Sequence, residues 1–185
     1  MSKGSDFGLL LVRAGVGGVC VAHGAQKLFG SFGGYGIKGT GGWFESVGFV
    51  PGERNALFAG LAEAGGGALL ALGLASGPAG AAVAGNMVVA SSTHTGFFNT
   101  EGGYELPATF GLVGAAVALG GPGRFSLDAL TGDALNKPWM RAVALASAGA
   151  AAVYLISERA KVLAARGDDT DAEETGDPHA TAGGA

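Results

Sequence analysis

Ionisable and amide side chains stand inside the most apolar stretches of this 185-residue chain. A run that begins near Phe7 carries Arg13, His23 and Lys27. A second carries Glu63, a third carries Asn86 and His94, and a fourth opens on Glu105. A charge at the centre of a bilayer costs roughly 2.5–3.5 kcal/mol on the insertion scale, so such groups are expected to pair inside a bundle or to serve a function. Glu63 is the natural acceptor for Lys27 or for a protonated His23. These three are the catalytic candidates, either as a proton relay or as a structural ion pair. His94, Glu105, Arg13 and Asn86 are the candidates for holding a ligand, because they can hydrogen-bond to its polar atoms at membrane depth.

Competing readings attach to several of them. Lys27 lies near a helix end and can snorkel to the interface, as can Arg13. Glu63 is too short and too deep to do so. His23 and His94 lack HxxxH or HxxE spacing, so no metal site is expected. Cys20, the one cysteine, reads as a small packing residue. Gly34–Gly39 satisfies GxGxxG, but a dinucleotide fingerprint needs a strand before it, and here a membrane helix precedes it.

Spacing says which elements must carry these groups. Arg13, Gly17, Cys20, Gly24 and Lys27 share one helical face, with His23 flanking it. Ala56, Gly60, Glu63, Gly67 and Ala71 line a face of a second helix. Asn86, Ala90, Thr93 and Phe97 form a stripe on a third, with His94 beside it. Faces of small and polar residues suit contact with other helices rather than with lipid. At about 1.5 Å of rise per residue, His23 lies about 9 Å and Glu63 about 12 Å below the end that carries the 30–54 loop. Lys27, His94 and Glu105 fall in that same half. Arg13 and Asn86 are expected in the other half.

The composition is that of a membrane protein. Hydrophobic residues make up 48%, charged residues only 14%, and there are 37 glycines. A soluble domain carries about 25% charged residues. The expectation is an all-α polytopic membrane bundle. Its four core helices are about Phe7–Phe29, Asn55–Ser76, Ala79–Phe98 and Tyr104–Gly120, within residues 1–130. Residues 131–160 hold a linker and a fifth helix, Trp139–Ser157. Residues 161–185 are expected to be a disordered acidic tail, since residues 167–185 hold six acids and no Lys or Arg. The density of glycine in 30–54 argues for an irregular loop, and Ser76–Pro78 for a tight turn. Lys and Arg are scattered, so no nucleic-acid partner is expected. Lys3, Arg124, Lys137 and Arg141 place the N-terminus in the cytoplasm by the positive-inside rule, although Arg159, Lys161 and Arg166 would then leave on the opposite side.

Taken in order, "VRAGVGGVCVAHGAQKLFG", "GLAEAGGGALLALGL", "NMVVASSTHTGFF", "GGYELP" and "GPGRFSLD" resemble the segments of DoxX-type membrane proteins over about residues 7–130. The resemblance implies a small bacterial inner-membrane four-helix bundle, associated with quinone-coupled thiosulfate oxidation or oxidative-stress complexes as a membrane partner of soluble enzymes. It adds Arg124 to the ligand-binding candidates. It implies no covalently bound cofactor, with a quinone as the expected ligand. No haem, flavin or iron–sulfur motif is present in the sequence, so electrons would come from a partner. Two alternatives are a membrane anchor or assembly partner, in which the polar groups only fix packing, and a small proton-linked transporter. Association into oligomers is compatible with all three.

Overall fold

The computed structural model describes residues 2–175, and among these it is all-helical. The element order is α1 (Lys3–Phe29), α2 (Gly36–Ser46), α3 (Gly52–Leu72), α4 (Ser76–Ser91), α5 (Glu105–Gly120), α6 (Leu127–Leu130) and α7 (Pro138–Thr175), with single 3-10 turns at Ser31–Gly33 and Asn99–Glu101. Among the described residues, three segments are long and apolar enough to cross a bilayer: Lys3–Phe29, Gly52–Leu72 and Pro138–Asp168. Helices α4 and α5 have 16 residues each, or about 24 Å, shorter than the roughly 30 Å hydrocarbon core.

Small residues decide which helices pair. A Cβ added at Gly17 would lie 2.5 Å from Gly67 O and 2.8 Å from Ala71 N, so α1 and α3 touch backbone to backbone. Helices α4 and α5 do the same at Gly80 and Gly114, where a Cβ on Gly114 would lie 2.7 Å from Gly80 O. Such approach maximises dispersion between helices where lipid offers no hydrophobic drive. Helix α3 packs on α4 and joins the two pairs, α7 lies along α4, and α2 lies against α3. The inward face of α1 is Asp6, Arg13, Gly17, Cys20 and Gly24; that of α3 includes Ala56, Gly60, Glu63 and Gly67.

The connections differ from expectation. Residues 36–46 form helix α2 despite four glycines, because tertiary packing overrides propensity. A Cβ at Gly41 would sit 2.8 Å from Glu53 N, so glycine there lets α2 press on the start of α3. Just before it, Gly30, Phe32, Gly33 and Gly36 all have positive φ and reverse the chain. The Gly34–Gly39 motif therefore belongs to a turn and a helix start. Ser76–Pro78 is the first turn of α4, where proline is tolerated. The reversal comes earlier, at Gly73 and Ala75, both left-handed. Helix α4 stops at Ser91, so His94 lies beyond the helix, its N–H bonded to Ser91 O at 3.2 Å.

The opposite end of the bundle is tied by buried polar groups. Arg13, fully buried, donates to Ala71 O at 3.2 Å, to Leu70 O at 3.5 Å and to Phe125 O. It thereby satisfies the Ala71 carbonyl at the end of α3 and adds a second donor to Leu70 O, which also accepts from Gly73 N. Asp128 accepts the N–H groups of Ala75 and Ser76, each at 2.8 Å, and so caps α4 from a distant segment. Asn136 Oδ1 accepts from Gly77 N at 3.0 Å and from Arg141 Nε at 3.1 Å.

Helix α7 is drawn on to Thr175, through residues 161–175 of the expected acidic tail, and residues 176–185 lie outside the described residues. Two arginines anchor this part. Arg159 Nε donates to Val47 O at 2.8 Å and its Nη1 to Ser92 O at 3.0 Å, with the guanidinium 5.7 Å from the Phe49 ring centroid. Arg166 donates to Ser46 O at 3.3 Å and Glu45 O at 3.0 Å. The last carbonyls of α2 attract these cations. The end of α7 is thereby placed on the side of α2. Arg159, Lys161 and Arg166 join Lys38 and Arg54 there, which reverses the charge margin behind a cytoplasmic N-terminus.

Candidate functional site

Glu63 sits on α3 and is 3% exposed. Lys27 Nζ, from the last turn of α1, donates to Glu63 Oε2 at 2.6 Å. Asn86 Nδ2, from α4, donates to Glu63 Oε1 at 3.1 Å. Three helices thus satisfy both oxygens of one buried carboxylate. A charge in low dielectric requires such partners, and removing one leaves the other uncompensated. Asn86 belongs with Lys27 and Glu63, not at the level of Arg13. Because α4 ends at Ser91 rather than near Phe98, Asn86 is only about 8 Å from the α2 side.

These groups line a half-open cavity of about 500 Å³ between α2, α3, α4 and α7. Its other polar groups are Asn55, Thr93 and His94. The rest is apolar or aromatic, with Phe58 from α3, Trp43 and Phe44 from α2, Phe49 just after it, Val89 from α4, and Tyr154 and Leu155 from α7. Small residues keep the space open: Ala59, Ala62, Ala82, Gly85 and Ala148 leave room where larger side chains would fill it. Gly85 lets α7 close in, since a Cβ there would lie 2.9 Å from Ala148 Cβ.

The chemistry of His94 follows from its hydrogen bonds. Nδ1–H donates to Ala90 O at 2.8 Å, with Thr93 Oγ1 at 3.2 Å. A carbonyl only accepts, so the ring proton lies on Nδ1 and a neutral imidazole offers Nε2 as an acceptor. Lys27 uses one of its three N–H donors on Glu63, and Asn86 one of its two. The cavity therefore presents spare cationic and amide donors together with a titratable acceptor.

Other candidates lie elsewhere. His23 is exposed on α1 and does not line the cavity. One residue from the inward Gly24, it is rotated by about 100° out of that face. Glu105 is half-buried at the start of α5, outside the cavity lining, its backbone N–H bonded to Phe97 O at 2.9 Å. Arg13 serves the far end of the bundle. Arg124 is there too, with an exposed side chain and a backbone N–H bonded to Asp6 Oδ1 at 3.1 Å. Among the described residues, no group of three or more His, Cys, Asp or Glu is placed to hold a metal ion.

Sequence reasoning missed the contributions of α2 and α7. Trp43, Phe44 and Phe49 fall in the stretch expected to be an irregular loop, and they wall the cavity. Arg159 read as a charge on the wrong side, and it ties α7 to α2 and α4. The only signal was the conflict that Arg159 raised with the positive-inside rule.

The family model DoxX matches residues 8–96. That stretch holds Lys27, Glu63, Asn86 and His94 and ends before α5 and α7. The match supports assignment of the chain to the DoxX family. No curated protein and no solved structure matches it.

Proposed function

We propose that this DoxX-family membrane protein is the membrane subunit of a quinone-linked oxidoreductase, and that its cavity takes the ring of a lipid-soluble quinone or quinol. The observation that supports this reading most is the cavity itself. About 500 Å³ of mostly apolar space, between helices with lipid-facing surfaces, ends on a chain of Lys27, Glu63 and Asn86 with His94 nearby. An apolar slot with a few convergent polar groups suits a planar ring with carbonyl oxygens. Lys27 and Asn86 would donate to a carbonyl. His94 Nε2 would accept from a quinol hydroxyl, and Glu63 would exchange a proton with the site through Lys27.

Reduction of a quinone takes up two electrons and two protons. The electrons would come from a soluble oxidoreductase, and the polar continuation of α7 beyond Arg166 offers it a handle. With Lys38, Arg54, Arg159, Lys161 and Arg166 on the α2 side, this reading places that side in the cytoplasm of a bacterial inner membrane. Photolabelling with an azidoquinone, followed by peptide mapping, tests the site. Label is expected on α3, α4 and α7 segments lining the cavity, with competition by unmodified quinone. Uniform label on lipid-facing segments, without competition, would overturn the reading.

A further inference from the structure

A second cavity, of about 280 Å³, also touches Lys27 and is lined by Gln26, Tyr35, Thr40, Trp43 and the backbone of Gly33 and Gly34. Lys27 and Trp43 belong to the walls of both cavities. Both are walled mainly by apolar surface, and the second also offers the Gln26 amide, the Thr40 hydroxyl, the Tyr35 phenol and turn backbone as polar partners beside Lys27. Tyr35 at its rim is 83% exposed. A cavity holds water when it is roomy and offers two to four polar partners, and this one has space for several molecules.

We propose that the second cavity is an aqueous vestibule that delivers protons to Glu63 through Lys27. The proposal deepens the reading above, in which Glu63 carries a proton to or from the quinone site. Lys27 stands between water and the buried carboxylate. Its side chain is 24% exposed while that of Glu63 is 4% exposed, and their charged atoms are 2.6 Å apart. In the transfer, Lys27 Nζ gives a proton to Glu63 Oε2, leaving a neutral amine and a carboxylic acid. The amine then takes a proton from a hydronium ion in the vestibule, and water remains. The net result is one proton moved from water to Glu63, with no change of oxidation state. Besides the Tyr35 phenol in the vestibule wall, three further titratable groups lie near this route: Cys20 on α1, His94 after α4 and Tyr154 on α7. None of the three lines the vestibule.

The test uses the full chain in liposomes with Thr40→Cys. The wild type, whose Cys20 is fully buried, gives the background. A charged, membrane-impermeant thiosulfonate is expected to label Thr40→Cys readily and the wild type hardly at all. Infrared spectroscopy after an acid jump then follows the carboxylic acid band of Glu63, identified by its loss in Glu63→Gln. Filling the vestibule with the label is expected to slow the appearance of that band by about tenfold or more relative to the same protein unlabelled. Failure of the reagent to reach the introduced thiol, in protein that labels fully once denatured, would overturn the vestibule. An unchanged rate after labelling would overturn the route. Quinone binding measured on the same samples separates this outcome from the first reading: a normal proton route without quinone binding sinks only the ligand assignment.

Discussion

A single carboxylate holds the site together. Glu63 accepts from Lys27 and Asn86 with its two oxygens, and α3 carries no second charge at that depth. Lys27→Met is expected to lower stability by about 3–5 kcal/mol, because it leaves the buried Glu63 carboxylate uncompensated in low dielectric. The double variant Lys27→Met with Glu63→Leu should recover most of that loss while still failing to bind quinone. Thermal unfolding in mild detergent, with a quinone titration on each protein, checks both halves. His94→Phe keeps the ring volume and removes Nε2. It should weaken quinol more than quinone, by about tenfold, as read from the two affinities. Residue type and spacing made Glu63 and Lys27 legible as partners, since a buried charge must find an opposite one within reach. His23 misled for a geometric reason: a residue one step from an inward glycine lies outside the packed face. The depth of Asn86 was hidden because the chain after Ser91 reads as helix: Thr93 and Phe97 continue the stripe, but Thr93 N and His94 N bond to carbonyls three residues back rather than four.

Helix faces were readable wherever glycine marks a close approach. The Arg13–Gly17–Cys20–Gly24 face of α1 and the Gly60–Glu63–Gly67 face of α3 meet as their spacing implies. Gly17→Val is expected to destabilise the bundle by about 1–3 kcal/mol or more through overlap with α3. Gly15→Ala meets nothing within 4 Å and should leave melting unchanged. The thermal midpoints of these two variants test the α1–α3 seam directly. Helix α2 was not legible, since its glycines count against helix in isolation and for it only once α3 lies alongside. Arg159 was equally hidden, because Val47, Phe49 and Ser92 come from loops and helix ends remote in sequence. Arg159→Ala removes two charge-assisted hydrogen bonds, each worth roughly 1.5–3 kcal/mol. It should raise amide hydrogen exchange over residues 45–50 and weaken quinone binding, with α5 unaffected.

The whole molecule reads as the matched DoxX segment plus a wall supplied from outside it. Helices α1, α3 and α4 bring the polar chain, while α7, beyond residue 96, closes the cavity. The fold class and the membrane setting followed from composition, because long apolar runs with few charges have no other stable home. The cavity did not, since an empty volume is a property of packing between distant segments. Orientation belongs to this scale as well. In vesicles of known sidedness, an impermeant thiol label should reach Lys38→Cys from the cytoplasmic face and Lys3→Cys from the other, and the reverse pattern would reject the assignment. The central claim is a quinone seated beside Glu63, and Trp43 in the cavity wall reports on it. In nanodiscs made with Trp139→Phe, a short-chain quinone should quench the remaining tryptophan saturably, and both Glu63→Gln and Asn86→Leu should shift that curve to higher concentration. Linear, unsaturable quenching that is identical in all three proteins would contradict it.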